Sequence, residues 1–200
     1  MARVRNLALS ILIVALAACA PGPRNAPDTL AFASIDAPDA ATPAPSYSVR
    51  AITVDVPLSL RISEANTYYP FADIVWRGDP MGDRRRQLKA IFETAFSRGT
   101  QSMRGGQEII LDVRLKRFHA LSDRVRLSVG GAHHIVFDLA LRDAETGILI
   151  APAREVNVRL KALGGMQAVR AERRGQTQKV RIIGFLARLI QQELGQPVTL

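Results

Sequence analysis

From residue 52 to 62, "ITVDVPLSLRI", apolar side chains fall at every second position. Ile52, Val54, Val56, Leu58, Leu60 and Ile62 share one side, with Thr53, Asp55, Ser59 and Arg61 on the other. A period of two predicts a half-buried strand, and Pro57 marks an edge position or a break because proline cannot donate to a ladder. Near Asp83 the period changes. Leu88, Ile91, Phe92, Ala95 and Phe96 recur at helical spacing, Asp83 stands at the N-cap position, and Gly99 stands where a C′ glycine would end the helix.

Three more strands are predicted. Ile109, Leu111, Val113 and Leu115 alternate with Asp112, Arg114 and Lys116, then the phase slips at Arg117 and Phe118, which predicts a bulge. The next, over 125–142, keeps Val125, Leu127, Val129, Ile135, Phe137, Leu139 and Leu141 in phase across Gly130 and Gly131. "DAETG", 143–147, reads as a hairpin turn with Gly147 able to take positive φ. The last strand shifts phase near Pro152 and continues through Val156, Val158, Leu160 and Ala162. After a polar, glycine-containing loop over 162–176, Val180, Ile183, Ala187, Ile190 and Leu194 mark a second helix, widened by Leu186 and Leu189 and ended by Gly195 and Pro197. The order β-α-β-β-β-α predicts an α+β two-layer sandwich: a mainly antiparallel four-stranded sheet with two amphipathic helices on one face. Residues 47–200 suit one domain with one core, and no internal repeat is visible.

The N-terminal part follows other rules. Arg3 and Arg5 precede an apolar run from Leu7 to Ala18. That run is about 12 residues, the length of a signal-peptide h-region, whereas a membrane span needs about 20. The chain's one cysteine follows directly, and Leu16, Ala17, Ala18 and Cys19 resemble the bacterial lipobox. The resemblance implies that residues 1–18 are a lipoprotein signal peptide and that Cys19 receives a diacylglyceryl thioether, so its thiol is spent on lipid. The other reading of these residues is an ordinary secretory cleavage near Ala18, which would leave a free thiol as a liability in an oxidising compartment. In such lipoproteins an Asp after the cysteine retains the protein at the inner membrane. Ala20 stands here instead, which implies the periplasmic face of the outer membrane.

Residues 19–46 are rich in Pro, Ala, Asp and Ser without sustained period, and read as a lipid-anchored disordered tether. Such a length reaches roughly 30 Å as a flexible coil and up to roughly 80 Å if its prolines extend it. Leu30, Phe32 and Ile35 are a small apolar exception, read as a transient contact.

Charge narrows the partners. The chain carries 27 basic against 18 acidic residues, and loss of Arg3 and Arg5 leaves a net charge of +7. Nucleic acid is the usual partner of so basic a chain, but export excludes it. Anionic lipid head groups, lipopolysaccharide phosphates, cell-wall polymers or an acidic protein are left.

"YYPFADIVWRGDPMGDRRRQ", 68–87, is too aromatic for a spacer. It sets Arg84, Arg85 and Arg86 in a helix's first turn, where the macrodipole disfavours cations. A broken local rule points to function. With Arg77 and Trp76 nearby, these arginines form a candidate site for a phosphate, a carboxylate or a partner protein. The alternative is that Asp79 and Asp83 neutralise them while Trp76, Tyr68 and Tyr69 cap the core. A cleft holding Arg77 and Arg84 would mark ligand binding, and a flat aromatic surface would mark protein docking.

Strand parity also sends Arg114, Lys116, Arg126, Arg159 and Lys161 to the open side of the sheet, interrupted by Asp112, Asp138 and Glu155. His119, His133 and His134 do not make a metal site, because adjacent His133 and His134 project to opposite faces. No GxSxG motif, available thiol or persuasive carboxylate pair is present, so neither cofactor nor catalysis is expected. "RGD" at 77–79 and "GGQ" at 105–107 read as turns.

The stretches "SEANTYYPFADIVWRGDPMGDRR" (63–85), "RFHAL" (117–121) and "RDAETG" (142–147) resemble an uncharacterised family of small bacterial lipoproteins. More loosely, the layout is similar to that of envelope accessory lipoproteins that assist larger assemblies or transporters. These resemblances imply a non-enzymatic lipoprotein whose tethered periplasmic domain docks on an envelope assembly or transporter. The alternative is a binder or carrier of an anionic small molecule, lipid or glycan.

Overall fold

Strand β1 (Tyr47–Asp55) begins before the expected strand and stops short of Pro57, whose carbonyl accepts the Leu60 amide at 3.2 Å in a turn. The structure, a computed structural model, describes residues 46–195. The expected signal peptide, Cys19, the tether up to residue 45 and Pro197 lie outside the described residues. Beyond the turn come two short strands, β2 (Ile62–Ser63) and β3 (Ile74–Val75), then helix α1 (Arg84–Thr100). An antiparallel meander follows, made of β4 (Gln107–His119), β5 (Gly131–Asp143) and β6 (Leu149–Ala162).

β1 lies parallel to β4, Tyr47 opposite Gln107 and Asp55 opposite Arg114. β3 takes the same edge of β4 further along, opposite Phe118 and His119, with β2 outside it. The sheet is therefore mixed and six-stranded, not an antiparallel sheet of four. The cause is α1: a helical crossover returns the chain to the end where β1 began, so the next strand must run parallel. The expected bulge is a register shift between Leu115 and Arg117, and β5 and β6 shift register beside Pro152. Gly147 takes φ 71°, and Asp143 Oδ1 accepts the Thr146 amide at 2.8 Å to close the "DAETG" turn.

Two helices replace expected strand and loop. Residues Asp123–Arg126 form a single turn, α2, capped by the Ser122 hydroxyl, so the strand expected from Val125 starts only at Gly131. Gly130, at φ 72°, breaks the extended chain, and Leu127 and Val129 are left exposed. Gly130 and Gly164 pass so close that a Cβ on Gly164 would lie 2.1 Å from the Gly130 nitrogen. Within the expected polar loop, α3 (Gly165–Arg173) buries only Ala168 and Ala171, too little apolar surface to show a period. Helix α4 (Gln178–Leu194) runs beside α1.

Asp83 caps α1 as expected, its carboxylate accepting the Arg86 amide at 3.1 Å. Gly99 does not end that helix. It lies inside it, against α4, where a Cβ would fall 2.3 Å from the Ala187 carbonyl oxygen. α1 and α4 share one core with Ile135, Phe137 and Leu139 of β5. Its aromatic centre is edge-to-face: Phe92 to Phe137 at 5.3 Å and Trp76 to Phe118 at 5.6 Å. Burying each such ring contributes roughly 2–3 kcal/mol.

The chain enters the sheet at the end marked by Tyr47 and Gln107. At the opposite, distal end lie the close of β4 and β6, the start of β5, α2, α3 and the N-termini of α1 and α4, whose Lys179 bonds Asp79 at 2.8 Å. No described helix is long and apolar enough to cross a membrane.

Candidate functional site

Two of the three arginines at the start of α1, Arg84 and Arg85, turn back onto the protein. Arg84 is 3% exposed, and its Nε and Nη2 donate to the two carboxylate oxygens of Glu64 at 2.7 and 2.9 Å. Its Nη1 donates to the carbonyls of Asp79 and Pro80, both at 3.1 Å, and to Gln87 Oε1 at 2.8 Å. Nη2 also lies 3.7 Å from Met81 Sδ, so each of the five N–H groups of this guanidinium has an acceptor. Arg85 donates to the carbonyls of Pro57, Leu58 and Leu60, tying the turn after β1 to the helix. Arg77 donates to Asp123 at 2.7 Å and to the Glu64 carbonyl at 2.9 Å. Arg86 alone of the four is exposed without a side-chain partner among the described residues.

The Arg84 hydrogen bond holds the Glu64 carboxyl below the usual carboxylate range, and Glu64 in turn raises Arg84. Of the two acids that the sequence offers for this neutralisation, Asp79 adds its charge to that of Glu64 in raising Arg84. Asp83 instead caps the helix, and Asp79 accepts from the buried Trp76 indole at 3.0 Å and from Lys179. Glu64 stands 20 residues before Arg84 with no periodic signal to join them. The ion pairs continue, Asp123 accepting from Arg126 at 3.2 Å and Arg126 donating to Glu172 at 2.5 Å. Burial works against the Asp123 charge, but Arg77 and Arg126 outweigh it and hold the carboxyl low. The network straps the 64–84 segment to α2 and α3.

On this framework the aromatics turn outward. The loop over 66–71 is pinned at three points: Asn66 Oδ1 accepts the Arg124 amide at 2.8 Å, the Thr67 carbonyl accepts the Ser122 hydroxyl at 2.7 Å, and just beyond it the Ala72 carbonyl accepts His119 Nε2–H at 2.6 Å. Tyr69 and Phe71 are left 87% and 95% exposed. Of the eleven large apolar side chains that stand exposed among the described residues, only Ile148 and Leu149 lie at the other end of the sheet. Beside the loop runs a groove of about 530 Å³, walled by Tyr68 and Phe71 and floored by His119, His134 and Arg159. Arg124 stands over the Tyr68 ring, 5.7 Å from its centroid. Burial lowers the His119 pKa against the pull of its bond to Ala72, and the nearby charges of Arg117 and His134 lower it further.

The basic face on the open side of the sheet is paired in part by the acids that interrupt it, while Arg159 and Lys161 have no carboxylate partner among the described residues. Arg114 meets Asp55 at 3.4 Å, Lys116 meets Glu155 at 2.6 Å, and Arg142 meets Asp112. Arg126 is on α2 and not on a strand.

The histidines divide as parity predicts, His133 toward the helices and His134 toward the groove. His133 is 1% exposed, and neither ring nitrogen has a hydrogen-bond partner among the described residues. Burial, with Arg181 adding to it, pushes its pKa down to about 4; Arg126 and Glu172 also line the small cavity beside it. The unfolded chain therefore takes up this proton first. Stability is full well above pH 6.5 and falls as the pH drops toward 4, by about 2.5 kcal/mol at pH 4.5. Denaturant unfolding at pH 7.5 and 4.5 should show this loss, and His133→Leu should reduce it by that amount.

Residues 47–200 match a family of unknown function, DUF6778. No curated protein matches the sequence. Among solved structures the chain is similar to an uncharacterised protein at 18% identity over 76% of this chain and 90% of that one, with a TM-score of 0.35. It is similar to a candidate lipoprotein from Caulobacter crescentus CB15 at 16% identity over 71% and 87%, TM-score 0.32. It is also similar to the PelC dodecamer from Paraburkholderia phytofirmans at 8% identity over 74% and 86%, TM-score 0.35. Likenesses at these levels transfer no function. The match that spans the folded domain shows that this chain belongs to the family of unknown function DUF6778.

Proposed function

We propose that the protein is a lipid-anchored docking module of the bacterial cell envelope. Cys19 carries the anchor at the periplasmic face of the outer membrane, residues 19–46 are the tether, and the distal end of the domain docks on a protein of an envelope assembly or transporter. No catalytic step is assigned to it. The observation that carries the reading is the pinned loop that holds Tyr69 and Phe71 in solvent. Large aromatics at the centre of an exposed apolar patch are what interfaces use as anchors, and the ion pairs beneath pre-organise them, which lowers the entropic cost of binding.

The rival reading places an anionic small molecule, lipid or glycan on Arg77, Arg84, Arg85 and Arg86. It requires free guanidinium donors, and Arg84 has none left.

Two measurements test the proposal. Intact mass of detergent-extracted protein should place the N-terminus at Cys19 with a lipid adduct; a free Cys19 thiol contradicts the anchor. Protein solubilised in mild detergent should bring down a stoichiometric partner that the double variant Tyr69→Ser, Phe71→Ser loses at least tenfold. Undiminished recovery with the folded variant would move docking away from this surface.

A further inference from the structure

We infer that the groove beside Tyr68 and Phe71 receives an acidic, extended segment of the docking partner; this rests on the docking reading and specifies its chemistry. At this end of the sheet Arg77, Arg84, Arg126 and Lys179 each have a carboxylate partner. Arg159 on the groove floor and Arg124 over Tyr68 have none among the described residues, and both are exposed. Arg117 and His134 also lie near His119 and oppose a charge on it, while Asp73 favours one. Asp73, the acid that opposes them, is itself engaged by the Arg61 amide at 2.9 Å. The groove combines unneutralised positive charge with an aromatic wall, and its complement carries carboxylates beside an apolar or proline side chain.

The form of the groove favours a peptide over a lipid. Leu121, Val125 and Ala132 also line the groove, but an acyl chain would have to cover two imidazoles and a guanidinium beside them, and burying that charge unpaired is costly. Aromatic walls beside polar side chains are how domains hold extended, proline-containing segments, which lose little entropy on binding. Tyr68, Pro70 and Phe71 supply such a wall.

The test is selection of a phage-displayed random decapeptide library on the full-length protein in detergent. Selected sequences should carry two or more Asp or Glu beside an aromatic residue or proline. Their binding should weaken at least tenfold with Arg159→Glu, similarly with Arg124→Glu, and steeply between 0.05 and 0.5 M salt. Both substitutions are at exposed positions, and circular dichroism confirms that each variant is folded. Selection of no peptides, of peptides without acids, or of acidic peptides indifferent to both variants overturns the inference. So do phosphatidylglycerol vesicles that bind in an Arg159-dependent manner where peptides do not, since the groove is then a lipid site. If co-purification depends on Phe71 while selection shows no acidic preference, this inference falls and docking stands. If acidic peptides bind but no partner depends on Tyr69 and Phe71, the groove chemistry stands and the docking assignment falls.

Discussion

Glu64→Leu should cost the folded domain about 3 kcal/mol, because it leaves the Arg84 guanidinium enclosed without its counter-ion. The shortest bond of Arg84, at 2.7 Å, and another at 2.9 Å go to that carboxylate, and the neutral Gln87 amide and the carbonyls of Asp79 and Pro80 cannot neutralise a full charge. The whole stability of such a domain is about 5–15 kcal/mol, so the loss is large enough to read from a urea midpoint. Arg84→Met added to Glu64→Leu should recover part of it, since removing both charges ends the desolvation problem that removing one creates. A loss under about 0.5 kcal/mol for Glu64→Leu would mean that Arg84 finds water easily and that the clamp is an ordinary surface pair. The same substitution should also loosen the loop that begins two residues later, linking stability to the presentation of Tyr69 and Phe71.

Gly99→Val should be comparably severe, at about 3 kcal/mol. A Cβ at this position would lie 2.3 Å from the Ala187 carbonyl oxygen and 2.5 Å from Ile190 Cγ2, so α1 and α4 must separate to admit it. Overpacking of this kind costs about 1–3 kcal/mol, and a β-branched side chain sits at the upper limit. Helix propensity acts in the opposite direction, because replacing an interior glycine by alanine gains about 0.5–1 kcal/mol where space is free. Gly184 in α4 is such a place, its nearest neighbour being the far end of Arg188 at 3.8 Å. Gly184→Ala should therefore stabilise the protein while Gly99→Ala destabilises it. Stabilisation by both, measured by thermal unfolding, would show that the helices are not in close contact at Gly99.

These two positions mark what could be read along the chain and what could not. Local signals were legible: the Asp83 cap, the slip at Arg117, the turn at Gly147 and the apolar face of α1 all depend on residues within a few positions of one another. Long-range relations were not. Gly99 reads equally as a helix stop or a helix contact until α4 is in place. The parallel pairing of β1 with β4 depends on the crossover joining them, not on either strand's pattern. The alternation over Val125, Leu127 and Val129 carried into α2 although only Val125 is buried there. The candidate site was found as a segment, because aromatics and arginines stood together over 68–87. That Arg84 and Arg85 are held against the protein while Tyr69 and Phe71 stand in solvent was hidden, because it depends on Glu64 and on the carbonyls of the turn at Pro57.

Docking requires that the distal aromatic surface meet a protein in the cell. The direct measurement is photo-crosslinking from Phe71, with Ile148 at the opposite end of the sheet as its pair; both side chains are exposed. A discrete protein adduct from position 71 and none from position 148 is the result predicted. Adducts from 148 alone, or a lipid or glycan adduct from 71, would contradict it.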